Sequence, residues 1–107
     1  MDLIPKPLLE QVARRFKLLG EPVRLELLNR LHATGEQSVQ ALVEATGLQQ
    51  ANVSKHLGYM ARQGLLKRRK EGLYVYYSIQ DPTLAAMCTL MCGQIRQEAF
   101  AATQRRR

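Results

Sequence analysis

Two cysteines, Cys88 and Cys92, stand four residues apart near the end of this 107-residue chain. In a helix that spacing puts both thiols on one face, with about 6 Å between their backbones. Such a pair has three readings. Both can be small buried hydrophobes, as free cysteine often is. They can be thiolates that grip arsenite or a soft metal ion, with further ligands from a partner chain. Or they can be a redox switch, in which reactive sulfur or an oxidant links them. The backbone separation is near the upper end of what a disulfide tolerates, so a polysulfide or inter-subunit bridge fits with less strain. Arg96, one turn after Cys92, is the nearest cation along the chain. Neither a His nor an acid adjoins the pair and no Gly-rich phosphate loop is present, which argues against an enzyme.

The second set of chemical groups is basic. Between Gly47 and Lys70 the chain carries six basic residues (Lys55, Arg62, Lys67, Arg68, Arg69, Lys70) and no acidic one. The formal net charge is +7, and the rest of the sequence is almost balanced, with ten Lys or Arg against nine Asp or Glu. Charge concentrated on one stretch of a small protein suits a polyphosphate partner. Double-stranded DNA is therefore the expected partner.

Those residues need elements to hold them. The length allows one domain with a single modest core. Apolar spacing at Leu8, Leu9, Val12, Phe16 and Leu19 predicts a first helix over Pro7–Leu19, closed by Gly20. Pro22 opens a second through Leu25, Leu27, Leu28 and Leu31. Ser38 caps a short third helix carrying Val39, Leu42 and Val43. After the turn Thr46-Gly47-Leu48, a fourth helix continues to about Gln63. Two β-prone segments around Glu71-Gly72 predict a hairpin. Asp81-Pro82 starts a last helix reaching to about Thr103, with an apolar stripe of Leu84, Met87, Cys88, Met91 and Ile95. The fold class is mainly α with a β-hairpin wing: five helices in a winged helix-turn-helix, one domain over residues 1–104. Arg105-Arg106-Arg107 reads as a basic tail.

On the fourth helix, Val53, Leu57 and Met60 fall within roughly 60° of one another and must face the core. The opposite side then offers Ala51, Asn52, Ser54, Lys55, Gly58, Tyr59 and Arg62, small and hydrogen-bonding residues that suit close approach to a major groove. Gln50 and Asn52 match adenine, Lys55 guanine or phosphate, and Ser54 either. Lys67, Arg68, Arg69 and Lys70 on the hairpin match flanking phosphates. His56 sits at the border of the buried and exposed sides. His32, near the end of the second helix, reads as a surface residue. No apolar run approaches the ~18 residues of a membrane span, and no signal-peptide pattern opens the chain, so a cytoplasmic setting is expected.

Phe16-Lys17-Leu18-Leu19-Gly20-Glu21-Pro22-Val23-Arg24-Leu25-Glu26-Leu27-Leu28 is similar to a segment of ArsR/SmtB-type repressors. Val53-Ser54-Lys55-His56-Leu57 with Gly64-Leu65-Leu66 resembles that family's recognition helix and exit, and Val75-Tyr76-Tyr77-Ser78-Ile79 its second wing strand. The resemblance spans roughly residues 8 to 100. It implies a homodimer packed through the first and last helices, bound to a palindromic operator and released by an inducer, and a DNA-proximal or packing role for His56. It does not supply the family's usual sensing sites. Asp81 matches the first ligand of the zinc-type site, but Thr83, Gln94 and Gln97 stand where the others belong. Ser38 to Gln40 lack the arsenic-type thiols, and Asn29 stands where reactive-sulfur sensors often carry a cysteine. Gln49 replaces the usual Ser or Thr cap of the recognition helix. If an inducer exists, Cys88 and Cys92 are its candidate site; the alternative is a regulator without one, its cysteines packed in the subunit interface.

Overall fold

A computed structural model describes residues 1–105. After a single 3-10 turn at Lys6–Leu8, the chain forms α1 (Leu9–Leu19), α2 (Pro22–Thr34), β1 (Gln37–Ser38), α3 (Val39–Thr46), α4 (Gln50–Arg62), β2 (Leu66–Glu71), β3 (Tyr74–Ile79) and α5 (Thr83–Arg105). The first turn is tighter than α, so Pro7 lies in the 3-10 segment and the α-helix itself begins at Leu9. α5 runs two residues past Thr103, which makes Arg105 its last residue; Arg106 and Arg107 of the expected tail lie outside the described residues.

Local chemistry sets the boundaries. Pro22 occupies the first turn of α2, and the Glu21 carboxylate accepts from the Val23 amide at 3.2 Å. Ser38 Oγ accepts from the Ala41 amide at 3.1 Å, satisfying one of the free donors at the start of α3. Gly47, at φ 72, closes α3 in the left-handed conformation and returns its N–H to the Val43 carbonyl. Gln49, the N-cap of α4, makes no side-chain cap bond, as its poor capping chemistry implies.

The core gathers Leu18 from α1, Leu27 and Leu31 from α2, Leu42 from α3, Val53, Leu57 and Met60 from α4, and Leu65, all essentially inaccessible to solvent. The three α4 residues are those that helical spacing assigned to the inside. Leu65 also ties strand to helix, because its carbonyl accepts from the Gln80 and Asp81 amides just before α5.

The sheet is larger than a hairpin. β2 and β3 pair antiparallel from Leu66↔Ile79 to Glu71↔Tyr74, and β1 adds a third strand through Gln37↔Tyr77 and Ser38↔Tyr76. A two-residue strand that doubles as a helix cap leaves no period to read, so sequence reasoning missed it. Gly72, at φ 61, supplies the positive dihedral at the first central position of the Gly72-Leu73 turn, the pattern of type II′ hairpins.

Candidate functional site

α4 presents Gln50, Ala51, Ser54, Lys55 and Arg62 to solvent, while Asn52, His56 and Tyr59 are half-buried. The exposed set forms one polar, acid-free strip. Tyr59 is not a free member of it: its ring packs against the core and lies under the Arg24 guanidinium at 5.6 Å.

Arg24 of α2 fixes this helix to its neighbours. Its Nε donates to the Leu18 carbonyl at 2.7 Å and its Nη2 to the Lys17 carbonyl at 3.3 Å, both at the C-terminal end of α1. There a cation also complements the helix dipole. Its Nη1 lies 3.3 Å from His56 Nδ1 on α4. A guanidinium can only donate, so Nδ1 must accept and the imidazole is neutral with its proton on Nε2. Partial burial holds the His56 pKa below the ordinary imidazole value, and the Arg24 charge lowers it further. His56 is therefore a positioning contact within the fold, one of the two roles the resemblance implied. Arg24 was not singled out from sequence.

On the wing, alternation along β2 puts Leu66, Arg68 and Lys70 on one face and Lys67, Arg69 and Glu71 on the other. Arg69 is already engaged. Its Nη2 and Nε donate to the two Glu36 carboxylate oxygens at 2.7 and 3.0 Å, Nη1 donates to Glu71, and the guanidinium stacks over Tyr76 at 4.6 Å. The bidentate pair pulls the Glu36 pKa down and raises that of Arg69. Two carboxylates around one guanidinium leave that spot without surplus positive charge, and Arg69 braces the wing against the segment preceding β1. Among the described residues Lys67, Arg68 and Lys70 form no ion pair.

Asp81 is buried, and its role is structural. One carboxylate oxygen caps α5 by accepting from the Thr83 amide at 2.9 Å and hydroxyl at 2.6 Å; the other pairs with Arg15 of α1 at 2.7 Å. The Thr83 bonds, aided by Arg15, hold its carboxyl below the usual carboxylate range. The residue matching the first zinc-type ligand is thus saturated by hydrogen bonds and a permanent cation.

Cys88 and Cys92 are both exposed within the chain. They line a groove of about 440 Å³ between α2 and α5, walled by Leu25, Leu28, Ile79, Leu84 and Ala85 and edged by Asn29, His32 and Arg96. Cys88 therefore turns from the middle of the expected stripe toward its own α2. His32 is exposed as expected, yet α2–α5 packing brings it to the same groove. Among the described residues no three His, Cys, Asp or Glu side chains cluster closely enough to hold a metal ion.

Comparison with known proteins agrees with this geometry. A helix-turn-helix domain family matches residues 19–69. The transcriptional repressor PagR of Bacillus anthracis is 35% identical over 83 residues, which span 78% of this chain and 83% of PagR. The fold also matches the antimony-specific transcriptional repressor AntR, with a TM-score of 0.80 and 30% identity over 92% of this chain and 89% of AntR. A homodimeric winged helix-turn-helix DNA-binding domain from Mycobacterium bovis, a possible ArsR-family regulator, gives 0.75 and 32%, covering 92% and 94%. The chain belongs to the ArsR/SmtB family of repressors. It is accordingly a DNA-binding transcriptional repressor rather than an enzyme. In this repressor the matched domain runs from the end of α1 into the basic strand β2, so it contains all of α4 and the start of the wing. No helix among its described residues is long and apolar enough to cross a membrane.

Proposed function

We propose that this ArsR-family repressor works in the cytoplasm as a homodimer joined through α1 and α5, reads a palindromic operator, and releases it when Cys88 and Cys92 engage a thiophilic signal. The exposed face of α5 carries the dimer reading. This helix has 23 residues, of which Leu84 is buried, while Leu90, Met91, Ile95 and Phe100 lie more than half open to solvent. A helix about 34 Å long gains stability from packing an apolar face, and a second copy supplies that packing. Phe16 on α1, the other helix of the proposed interface, is also half-exposed. The Mycobacterium bovis neighbour, described as homodimeric, supports this reading.

On DNA, Gln50, Ala51, Asn52, Ser54 and Lys55 approach base edges, with Arg62 and the wing residues Arg68 and Lys70 on phosphates. Tyr59, His56 and Arg69 serve this interface indirectly, by holding α4 and the wing in place. Two recognition helices on a two-fold dimer match successive major grooves and so imply operator symmetry. A ligand favouring another dimer arrangement separates the helices from that spacing. Coupling of about 1–3 kcal/mol lowers operator affinity roughly 5–150-fold. The groove that both thiols line between α2 and α5 supports sensing over packing. Arsenite, a soft metal ion and reactive sulfur are the candidate signals, and the antimony specificity of AntR favours the metalloid class.

Sedimentation of the purified chain, with salt-dependent titration of a palindromic duplex, tests the reading. A dimer whose affinity falls steeply with salt is expected. A monomer without salt-sensitive retention of any duplex overturns it.

A further inference from the structure

A glycine sits at the middle of the face that α4 turns outward. At about 100° per residue, Ala51, Ser54, Lys55, Gly58 and Arg62 fall within an arc of about 100°, and Gly58 lies near its centre. Glycine weakens a helix interior relative to alanine, so its presence there asks for a reason. The backbone supplies none: the glycines at positive φ are Gly35, Gly47, Gly64 and Gly72, whereas Gly58 lies inside the helix. Packing against another element supplies none either. A methyl group at Gly58 would stand 3.2 Å from Arg62 Nη1; chain neighbours and the helix's own backbone aside, nothing else among the described residues lies within 4 Å of it. The guanidinium of Arg62 thus lies back over the glycine, in the direction helical side chains lean. Gly58 is accordingly half-buried although it is on the outer face.

Arg62 makes no ion pair among the described residues, so its charge is left for a partner. Leaning back by four residues carries that charge about 6 Å toward the amino end of α4, the end that offers Gln50, Asn52 and Ser54. We infer that Gly58 is a positioning residue for operator binding: with no side chain of its own, it seats the Arg62 guanidinium along the helix, aimed at a DNA phosphate before the duplex arrives. A free arginine loses much rotamer entropy when a partner pins it, and one already seated loses less. The bare Cα thus exchanges helix stability for a pre-oriented cation. The methyl of alanine, at 3.2 Å, is inside ordinary van der Waals contact and moves the guanidinium off this seat. The inference rests on the reading that Arg62 meets phosphate, and states what orients it.

The full-length repressor tests it, titrated over a salt series against a duplex that the parent protein selects from a random-sequence pool. The variants are Gly58→Ala, Arg62→Ala and the two combined. Arg62→Ala is expected to lower affinity about tenfold and the salt slope by about one unit. Gly58→Ala should raise Tm by roughly 4 °C, because alanine favours the helix. It should nevertheless weaken operator binding about threefold or more and reduce the salt slope in the same direction. A glycine kept only for folding cannot give greater stability with weaker binding. In the Arg62→Ala background, Gly58→Ala should cost no further affinity. Two results overturn the inference while leaving Arg62 on DNA. One is Gly58→Ala binding as tightly as the parent. The other is the same loss with and without Arg62, which assigns the glycine to close approach of the duplex itself. If Arg62→Ala changes neither affinity nor slope, the phosphate reading of Arg62 fails and takes the inference with it.

Discussion

Replacing Arg24 by Ala removes a bolt between three helices, and the structure sets the size of the loss. The Nε bond to the Leu18 carbonyl, at 2.7 Å and partly shielded, is the strongest of its contacts. A hydrogen bond from a charged donor contributes about 1.5 kcal/mol. Stacking over Tyr59 at 5.6 Å adds about 0.5 kcal/mol. The Lys17 and His56 contacts are both 3.3 Å and more open to water, so they add little. The expected cost is about 2 kcal/mol, which for a domain of this size lowers Tm by roughly 10 °C. Urea unfolding at fixed protein concentration measures it, because a dimer's stability depends on concentration. A second readout isolates the imidazole contact. Without Arg24, NMR titration should find the His56 pKa raised toward the ordinary value yet still lowered by burial. In the native protein the contribution of neutral His56 is complete above the ordinary imidazole value of about 6.5 and is lost as pH falls through the depressed folded value. A loss below about 0.5 kcal/mol, or an unmoved His56 titration, would refute the reasoning.

Four further outcomes follow from the same geometry. Arg68→Ala should weaken binding to all duplexes alike and reduce the salt slope by about one unit, whereas Arg69→Ala should leave the slope nearly unchanged, because Glu36 and Glu71 already neutralise that guanidinium. Gln50→Ala or Asn52→Ala should relax preference at a single operator position by about 1–3 kcal/mol where the contact is bidentate, read by competition with substituted duplexes. Asp81 has a depressed folded pKa, so its stabilising contribution is whole above the ordinary carboxylate value of about 4 and disappears as pH drops through the folded one; Asp81→Asn should flatten that acid limb in urea unfolding. Arg15→Ala should leave thiol modification intact but shrink the resulting change in operator affinity, measured by paired titrations of modified and unmodified protein.

The inward face of α4 was legible because helical period alone assigns Val53, Leu57 and Met60 to one side, and all three are buried. The capping residue Ser38 and the turn at Gly72 were legible for a similar reason: each rests on chemistry within a few residues. What stayed hidden depends on distant partners. Arg69 looks like its neighbours Arg68 and Lys70 until Glu36, 33 positions earlier, closes on it. Alternation from the buried anchor Leu66 separates Arg69 from those two, but no local pattern says which acid it meets. His32 and the cysteines share a groove because α2 packs beside α5, which no spacing along either helix encodes. Arg24 reads as a helix-surface cation because its four partners lie in other elements or in the preceding helix end.

These hidden contacts join into one mechanical route. α5 carries the thiols, and its first turn is fastened by Asp81 to Arg15 on α1. The far end of α1 offers the Lys17 and Leu18 carbonyls to Arg24, and Arg24 in turn reaches His56 and Tyr59 on α4. On the proposed sensing reading, a ligand that shifts α5 would act on the recognition helix through two cationic links, without touching it. Spatial continuity alone does not establish coupling, which is why the Arg15 substitution matters. It cuts the route between groove and operator while sparing both ends. Apolar packing between α5 and the body of the domain is confined to its start, around Leu84 and the half-buried Met87, and a second link runs through the Leu65 carbonyl, which accepts from the Gln80 and Asp81 amides. If the Arg15→Ala repressor responds to thiol modification as fully as the parent, the signal crosses through the Leu65 link or the partner subunit instead.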